Sequence, residues 1–332
     1  MNAPTENTLP TAPHDHGRGH DYDAVVIGGG AAGLSAALVL GRSRRRVLVV
    51  DAGEPRNAPA AHMQGVLSRD GTSPAEYLAA GRAEIAAYGV EWRDGRATGA
   101  EADGRGGFTV TLADGGAVRA RRLVVTTGLV DEELPAIDGL AGRWGRDVLH
   151  CPYCHGWEVR DRAFGVIAHP TTPAHQALVV AHWSKDVTLF LHTAAEPTER
   201  ESALLDAAGV RVVRGEVAGL AVEDDALTGV RLADGRTVPR EVLFAAAARF
   251  TPRDGVLRQL GAASRETPFG PFVAVDETGR TSVPGVWAAG NVTGAHEQVV
   301  NAVSAGYRAG VALNAELLFG DLEAAADRRS AG

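Results

Sequence analysis

Two cysteines, Cys151 and Cys154, stand in one C-x-x-C, and histidines flank the pair at His150 and His155. Two residues between cysteines at a helix start bring the sulfurs within bonding reach, and the helix dipole lowers a thiol pKa. Three chemistries use this pattern. C-x-x-C-H can attach haem covalently, but that assembly follows export, and residues 1 to 22 hold no apolar core that reads as a secretory signal. Zinc takes four ligands; there is no third cysteine, although histidines are available. The third reading, a dithiol–disulfide couple, is favoured, and no metal is expected. His155 is the candidate base, because imidazole titrates near neutral pH and can take a thiol proton. His150 is the alternative, and His296 in G-A-H-E-Q could also reach the site.

A redox couple must be held against an electron carrier, and residues 23 to 51 read as the element that holds one. Ala24 to Ile27 is a continuous apolar run, as expected for a parallel strand covered on both faces. G-x-G-x-x-G follows at Gly28, Gly30 and Gly33, opening an apolar helix, and a second strand, Val47 to Val50, ends at Asp51. Gly28 permits the tight turn, Gly30 lets a pyrophosphate approach the backbone, and Gly33 lets helix and strand pack closely. The N–H groups at the helix start favour the phosphate charge. Asp51 sits where an acid can hydrogen-bond ribose hydroxyls.

The pattern returns once, altered. Leu112 to Val125 (LADGGAVRARRLVV) is echoed at Leu232 to Phe244 (LADGRTVPREVLF), each reading as a meander hairpin with a returning strand. Ala37 to Asp51 aligns without gaps on Ala177 to Leu191, an offset that places Gly28 on Ala168, Gly30 on Pro170 and Gly33 on Pro173. Proline has no N–H to donate, and its ring blocks the approach that glycine allows. No basic cluster follows Leu191 to meet a nicotinamide-adenine phosphate. The second unit is expected to survive as scaffold and as a wall of the active site.

Length fits two domains at roughly 150 residues each. With 45% hydrophobic and 22% charged residues, the 332-residue chain can bury substantial cores. Its net charge of −8 argues against nucleic acid, which needs a basic face. Ala24 to Gly41 lacks charge, but its glycines make it strand, turn and helix rather than a membrane span. A cytoplasmic location is expected, with residues 1–21, including His14, His16 and His20, as a mobile leader.

The motifs G-G-G-A-A-G-L, T-T-G at Thr126 to Gly128, P-A-I-D-G at Pro135 to Gly139, C-P-Y-C and V-P-G-V-W-A-A-G-N-V occur in the order of the thioredoxin reductase fold family. Within it, C-P-Y-C-H-G-W-E-V-R-D and D-A-G-E-P-R-N most resemble the FAD-dependent dithiol oxidases of the gliotoxin, holomycin and romidepsin type. The resemblance implies an α/β fold of two Rossmann-like domains, the second with a degenerate nucleotide site. The FAD domain would comprise residues 22–128 and 247–318, the cysteine-bearing domain 129–246, and residues 319–332 a tail. It also implies FAD held by Gly28, Gly30, Ala31, Ala32 and Gly33, with Asp51, Ala52, Arg56, Asn57 and His62 along the ribose and the following loop. Ala97 would contact adenine; Gly128, Gly290 and Asn291 would continue the site. Backbone at Gln298 and Val299 would meet the flavin ring, with Glu297 where the reductases carry arginine. The implied reaction oxidises a small-molecule dithiol to its disulfide with O2 as acceptor, in a homodimer. A reductase fed by ferredoxin or another non-nicotinamide donor is the alternative.

Overall fold

The structure, a computed structural model, describes residues 20–132, 135–247 and 249–330. The chain opens as read, with β1 (Tyr22–Ile27), α1 (Ala31–Arg42) and β2 (Val47–Asp51), followed by α2 (Pro74–Ala86) and β3 (Glu91–Asp94). Then come β4 (Ala97–Ala102), β5 (Phe108–Leu112) and β6 (Ala117–Val125). Ala24, Val25 and Val26 are fully buried, because α1 and the meander cover opposite faces of the sheet. Ser73 and Glu76 close a reciprocal capping box that starts α2.

β7 (Leu129–Glu132) leads to β8 (Val148–Leu149) and to α3 (Pro152–His155), the short helix that carries the cysteines. A second β–α–β series follows: β9 (Phe164–Ile167), α4 (His175–Val180), β10 (Val187–Phe190), α5 (Glu199–Ala207) and β11 (Arg211–Val213). A meander of β12 (Val217–Glu223), β13 (Ala226–Leu232) and β14 (Thr237–Pro239) precedes β15 (Val242–Phe244). In the first unit the corresponding arm and returning strand are one continuous β6. Here the stretch at Pro239 and Arg240 divides them, since proline cannot donate to a ladder. The chain then returns through β16 (Arg249–Pro252), α6 (Gly255–Gln259), β17 (Ser264–Thr267), β18 (Gly270–Val273) and β19 (Val286–Ala288) to α7 (Val299–Ser330).

The first sheet contains the parallel order β3-β2-β1-β6-β19, and the second is β11-β10-β9-β15-β8. Their registers coincide residue by residue. Ala24 pairs Val47 as Phe164 pairs Val187, and Ala24 pairs Arg122 as Phe164 pairs Val242. β16 pairs antiparallel with β7, so the two chain crossings between the sheets form one ribbon.

Two sequence boundaries are corrected. His20, assigned to the leader, is fixed by Nε2 at 2.6 Å from Asp103 Oδ2, and Asp21 N–H donates to the Arg119 carbonyl. His14 and His16 lie outside the described residues. The tail from 319 continues α7 to Ser330, as its three consecutive alanines and two arginines favour. Among the described residues, no helix is long and apolar enough to cross a membrane.

Candidate active site

The glycine loop is dictated by space. Gly28 has φ +106°, and a Cβ there would lie 2.5 Å from the Thr126 carbonyl oxygen; one on Gly33 would lie 1.9 Å from that of Gly28. A Cβ on Gly30 meets nothing within 4 Å, because this residue faces a cavity of about 940 Å³. Gly30 caps α1 with no side-chain bond, and no acid stands in the first turn, so the helix start offers its N–H groups and positive pole to the cavity. At the end of β2, Asp51 Oδ1 accepts the Gly29 N–H at 2.8 Å, and Arg82 Nη2 lies 3.4 Å from Oδ2. A carboxylate has about four lone-pair sites, which leaves acceptor capacity for a diol. Bare backbone for a diphosphate beside an acid for a ribose is a donor set that fits a dinucleotide.

Ala31, Ala32, Ala52, Asn57, Ala97, Gly128, Gly290 and Val299 line the same cavity. Gly33 stands behind it, packed on the turn. Asn291 lines it too, its Nδ2 donating to the Gly294 and Ala295 carbonyls at 3.1 and 3.3 Å. Arg56 reaches the cavity as a bracket. It grips Asp131 with two bonds of 2.8 and 2.6 Å, donates to the Ala295 carbonyl and lies over the Phe250 ring. The Gln298 N–H donates to the His296 carbonyl at 2.9 Å. His62 is not brought in. It is exposed, with Nδ1 3.0 Å from the Gly71 carbonyl oxygen, outside the lining.

Cys151 and Cys154 form a disulfide with Cα atoms 5.3 Å apart, facing that cavity. Cys151 is the N-cap of α3 and Pro152 begins its first turn. His150 is held between Trp144 and Phe250, with ring centroids at 6.2 and 5.9 Å, and its carbonyl accepts from Gln176 Nε2. Burial pushes its pKa below the ordinary histidine value, aided by Arg56 and opposed by Asp131 and the Ala245 carbonyl. Burial lowers His155 as well, partly offset by the Cys151 carbonyl. The Nδ1 atoms of both histidines are buried without a hydrogen-bond partner among the described residues. Burial thus favours the neutral ring at both positions. His296 is exposed and stacks edge-on against Phe269 at 4.7 Å. Beside it the half-buried Glu297 has its pKa raised by burial.

The second loop begins like the first: Ala168 N–H donates to Phe190 O at 2.9 Å, as Gly28 N–H does to Val50 O at 2.8 Å. Then the two diverge. α1 starts three residues after Gly28, but α4 starts seven after Ala168 and runs only six residues. Thr171 turns its N–H and hydroxyl onto His169 Nδ1 at 3.3 and 2.9 Å. His169, Thr171, Thr172, His175 and Gln176 thus line the cavity that the disulfide faces.

The pyridine nucleotide-disulphide oxidoreductase family model matches residues 22–306. The chain belongs to this family. Thioredoxin reductase tcpT of Claviceps purpurea is 32% identical, covering 89% of this chain and 94% of its own. Thioredoxin reductase sirT of Leptosphaeria maculans is also 32% identical, over 91% and 96%. The crystal structure of HlmI matches with a TM-score of 0.87 at 48% identity, over 93% of this chain and 97% of its own. This family member is an FAD-dependent thiol–disulfide oxidoreductase with the thioredoxin reductase fold. Sequence reasoning missed Asp131, Trp144 and Phe250, which frame His150 and Arg56 across long chain separations that no local motif signals. His169 to Gln176 carried a signal, since the offset of the repeat put them on the counterpart of the first unit's glycine loop.

Proposed function

We propose that this enzyme closes a disulfide in a small-molecule dithiol, with dioxygen as acceptor: R(SH)2 + O2 gives RS2 + H2O2. The loop from Ala168 to Ala174 carries the reading. A nicotinamide dinucleotide needs bare N–H groups at a helix start; here that turn is unwound, prolines stand at 170 and 173, and the loop walls the disulfide cavity instead.

A substrate thiol gives its proton to His155, whose neutral form burial favours, and the thiolate attacks Cys151 Sγ. The Cys151–Cys154 bond breaks, leaving a mixed disulfide and a Cys154 thiolate. The second substrate thiol attacks the substrate sulfur, closes the ring and releases Cys151. FAD supplies the acceptor for the electron pair freed when the Cys151–Cys154 disulfide re-forms, with dioxygen as its oxidant. Gly28 to Gly33 and Asp51 would hold its diphosphate and ribose, with Ala52, Arg56, Asn57, Ala97, Gly128, Gly290, Asn291 and Val299 along the same cleft. Residues 22–128 and 247–318 would form the FAD domain and 129–246 the redox domain. The enzyme would work in the cytoplasm as a homodimer, supported by Tyr307, Val311, Leu318 and Leu322, which expose one apolar stripe of α7.

Oxygen uptake across small dithiols and reduced thioredoxin tests the reading. One peroxide per small-molecule disulfide is expected, and Cys154→Ser should abolish turnover. Reaction with thioredoxin alone would contradict it.

A further inference from the structure

Gln298 immediately precedes α7, and its carbonyl accepts the Ala302 N–H at 2.8 Å, which fixes the backbone from which the side chain extends. The terminal amide lies across the disulfide. Nε2 is 3.7 Å from Cys151 Sγ and Oε1 is 3.2 Å from Cys154 Sγ. One planar group thus presents a donor to one reacting sulfur and an acceptor to the other.

A disulfide uses neither function well, having no S–H to give and only weak acceptor sulfurs. The amide matches the reduced pair better when that pair holds one charge and one proton. Nε2–H then donates to the thiolate, a charge-assisted bond, and the remaining S–H donates to Oε1. Because an amide keeps its shape when turned by half a revolution, the same side chain serves the pair with the charge on either sulfur.

We propose that the Gln298 side chain stabilises the mono-thiolate dithiol of Cys151 and Cys154, and so sets how readily the disulfide is reduced. The inference rests on the cysteine pair as the redox centre, and it holds whichever oxidant or substrate the enzyme uses. In the reaction that exposes it, two glutathiones supply an electron pair. The Cys151–Cys154 bond breaks, glutathione disulfide forms, one proton stays on a cysteine and one goes to solvent.

The test is an anaerobic redox titration of the FAD-loaded enzyme in glutathione buffers at neutral pH. Acid quenching, maleimide labelling and mass measurement then count the free thiols. Gln298→Met keeps the volume and removes both functions, so its equilibrium constant for reduction should fall about tenfold, the worth of one hydrogen bond to a charged group. Gln298→Glu keeps the shape but sets a carboxylate against the anion, and its constant should fall further. Each variant is scored on protein that retains wild-type FAD content; if Gln298→Met fails to load, the glutamate variant carries the same expectation. A constant equal to wild type in either loaded variant overturns the proposal. Glutathione replaces any cognate dithiol, so failure of the dioxygen reading leaves this result unaffected.

Discussion

After β1 the chain turns through Gly28 to Gly30 and enters a twelve-residue helix; after β9 it passes His169, Pro170 and Pro173 before a six-residue helix. The strands beneath the two turns keep the same register and the same first hydrogen bond. The difference teaches that strand pairing and phosphate recognition are physically separable. The sheets stand on buried apolar runs, Ala24 to Ile27 in one and Phe164 to Ile167 in the other, which ask nothing of the loop above them. On the proposed function, a loop that holds no phosphate is free to take prolines and polar side chains and to line the cavity that the disulfide faces. The second loop lies against the disulfide, where that exchange has a use.

The strongest way to break this comparison is to crowd the first turn. Gly30→Val adds carbons where the fold leaves open space, so the protein should fold while FAD affinity drops about 10²-fold or more, as several charge-assisted bonds are blocked. The flavin-to-protein absorbance ratio reads this, and full flavin content would show that the turn does not hold the diphosphate. Next, His155→Ala should lower turnover about 10²-fold with FAD content unchanged. Because burial lowers the His155 pKa, the acid limb of kcat/KM should fall below the ordinary histidine value of about 6.5, and loss of that limb in the variant ties it to this ring.

The second loop provides a milder contrast. Thr171→Val with His169→Ala should leave FAD content intact and change kcat/KM for the dithiol about tenfold, roughly the loss of one or two hydrogen bonds. An unchanged value would make the loop inert scaffold. The smallest effect concerns acid. His150, His155 and His169 have pKa values lowered by burial, so the unfolded chain binds more protons as pH falls below about 6.5. Their stabilising contribution is whole above that pH and lost beneath it. Hydrogen exchange at mildly acid pH should therefore rise around β8, α3 and the 168–174 loop before it rises around β1 and α1.

Much of this was legible in the sequence where it rested on local chemistry. Valine-rich runs beside glycines gave the first β–α–β unit, and gap-free repetition at one offset anticipated the matched register of the second. Proline at 170 and 173 already announced a turn unlike the first. What could not be read were pairings between distant segments: β7 with β16, β19 joining β6, and Arg56 gripping Asp131 across 75 residues. Local periodicity carries no such information. The expectation for His62 failed to reach the cavity for the same reason, since the turn that points it at Gly71 is set by the loop's own closure. The family resemblance assigned Gln298 a backbone role, yet it is the side chain that spans both sulfurs.

On the proposed function, this enzyme's second loop no longer accepts a nicotinamide dinucleotide, leaving thiols as the source of electrons. The most direct test mixes the FAD-loaded enzyme anaerobically with NADPH and, separately, with a small dithiol, while following the visible flavin band. The dithiol should bleach the band, and NADPH should leave it standing. Rapid bleaching by NADPH would contradict the proposed function.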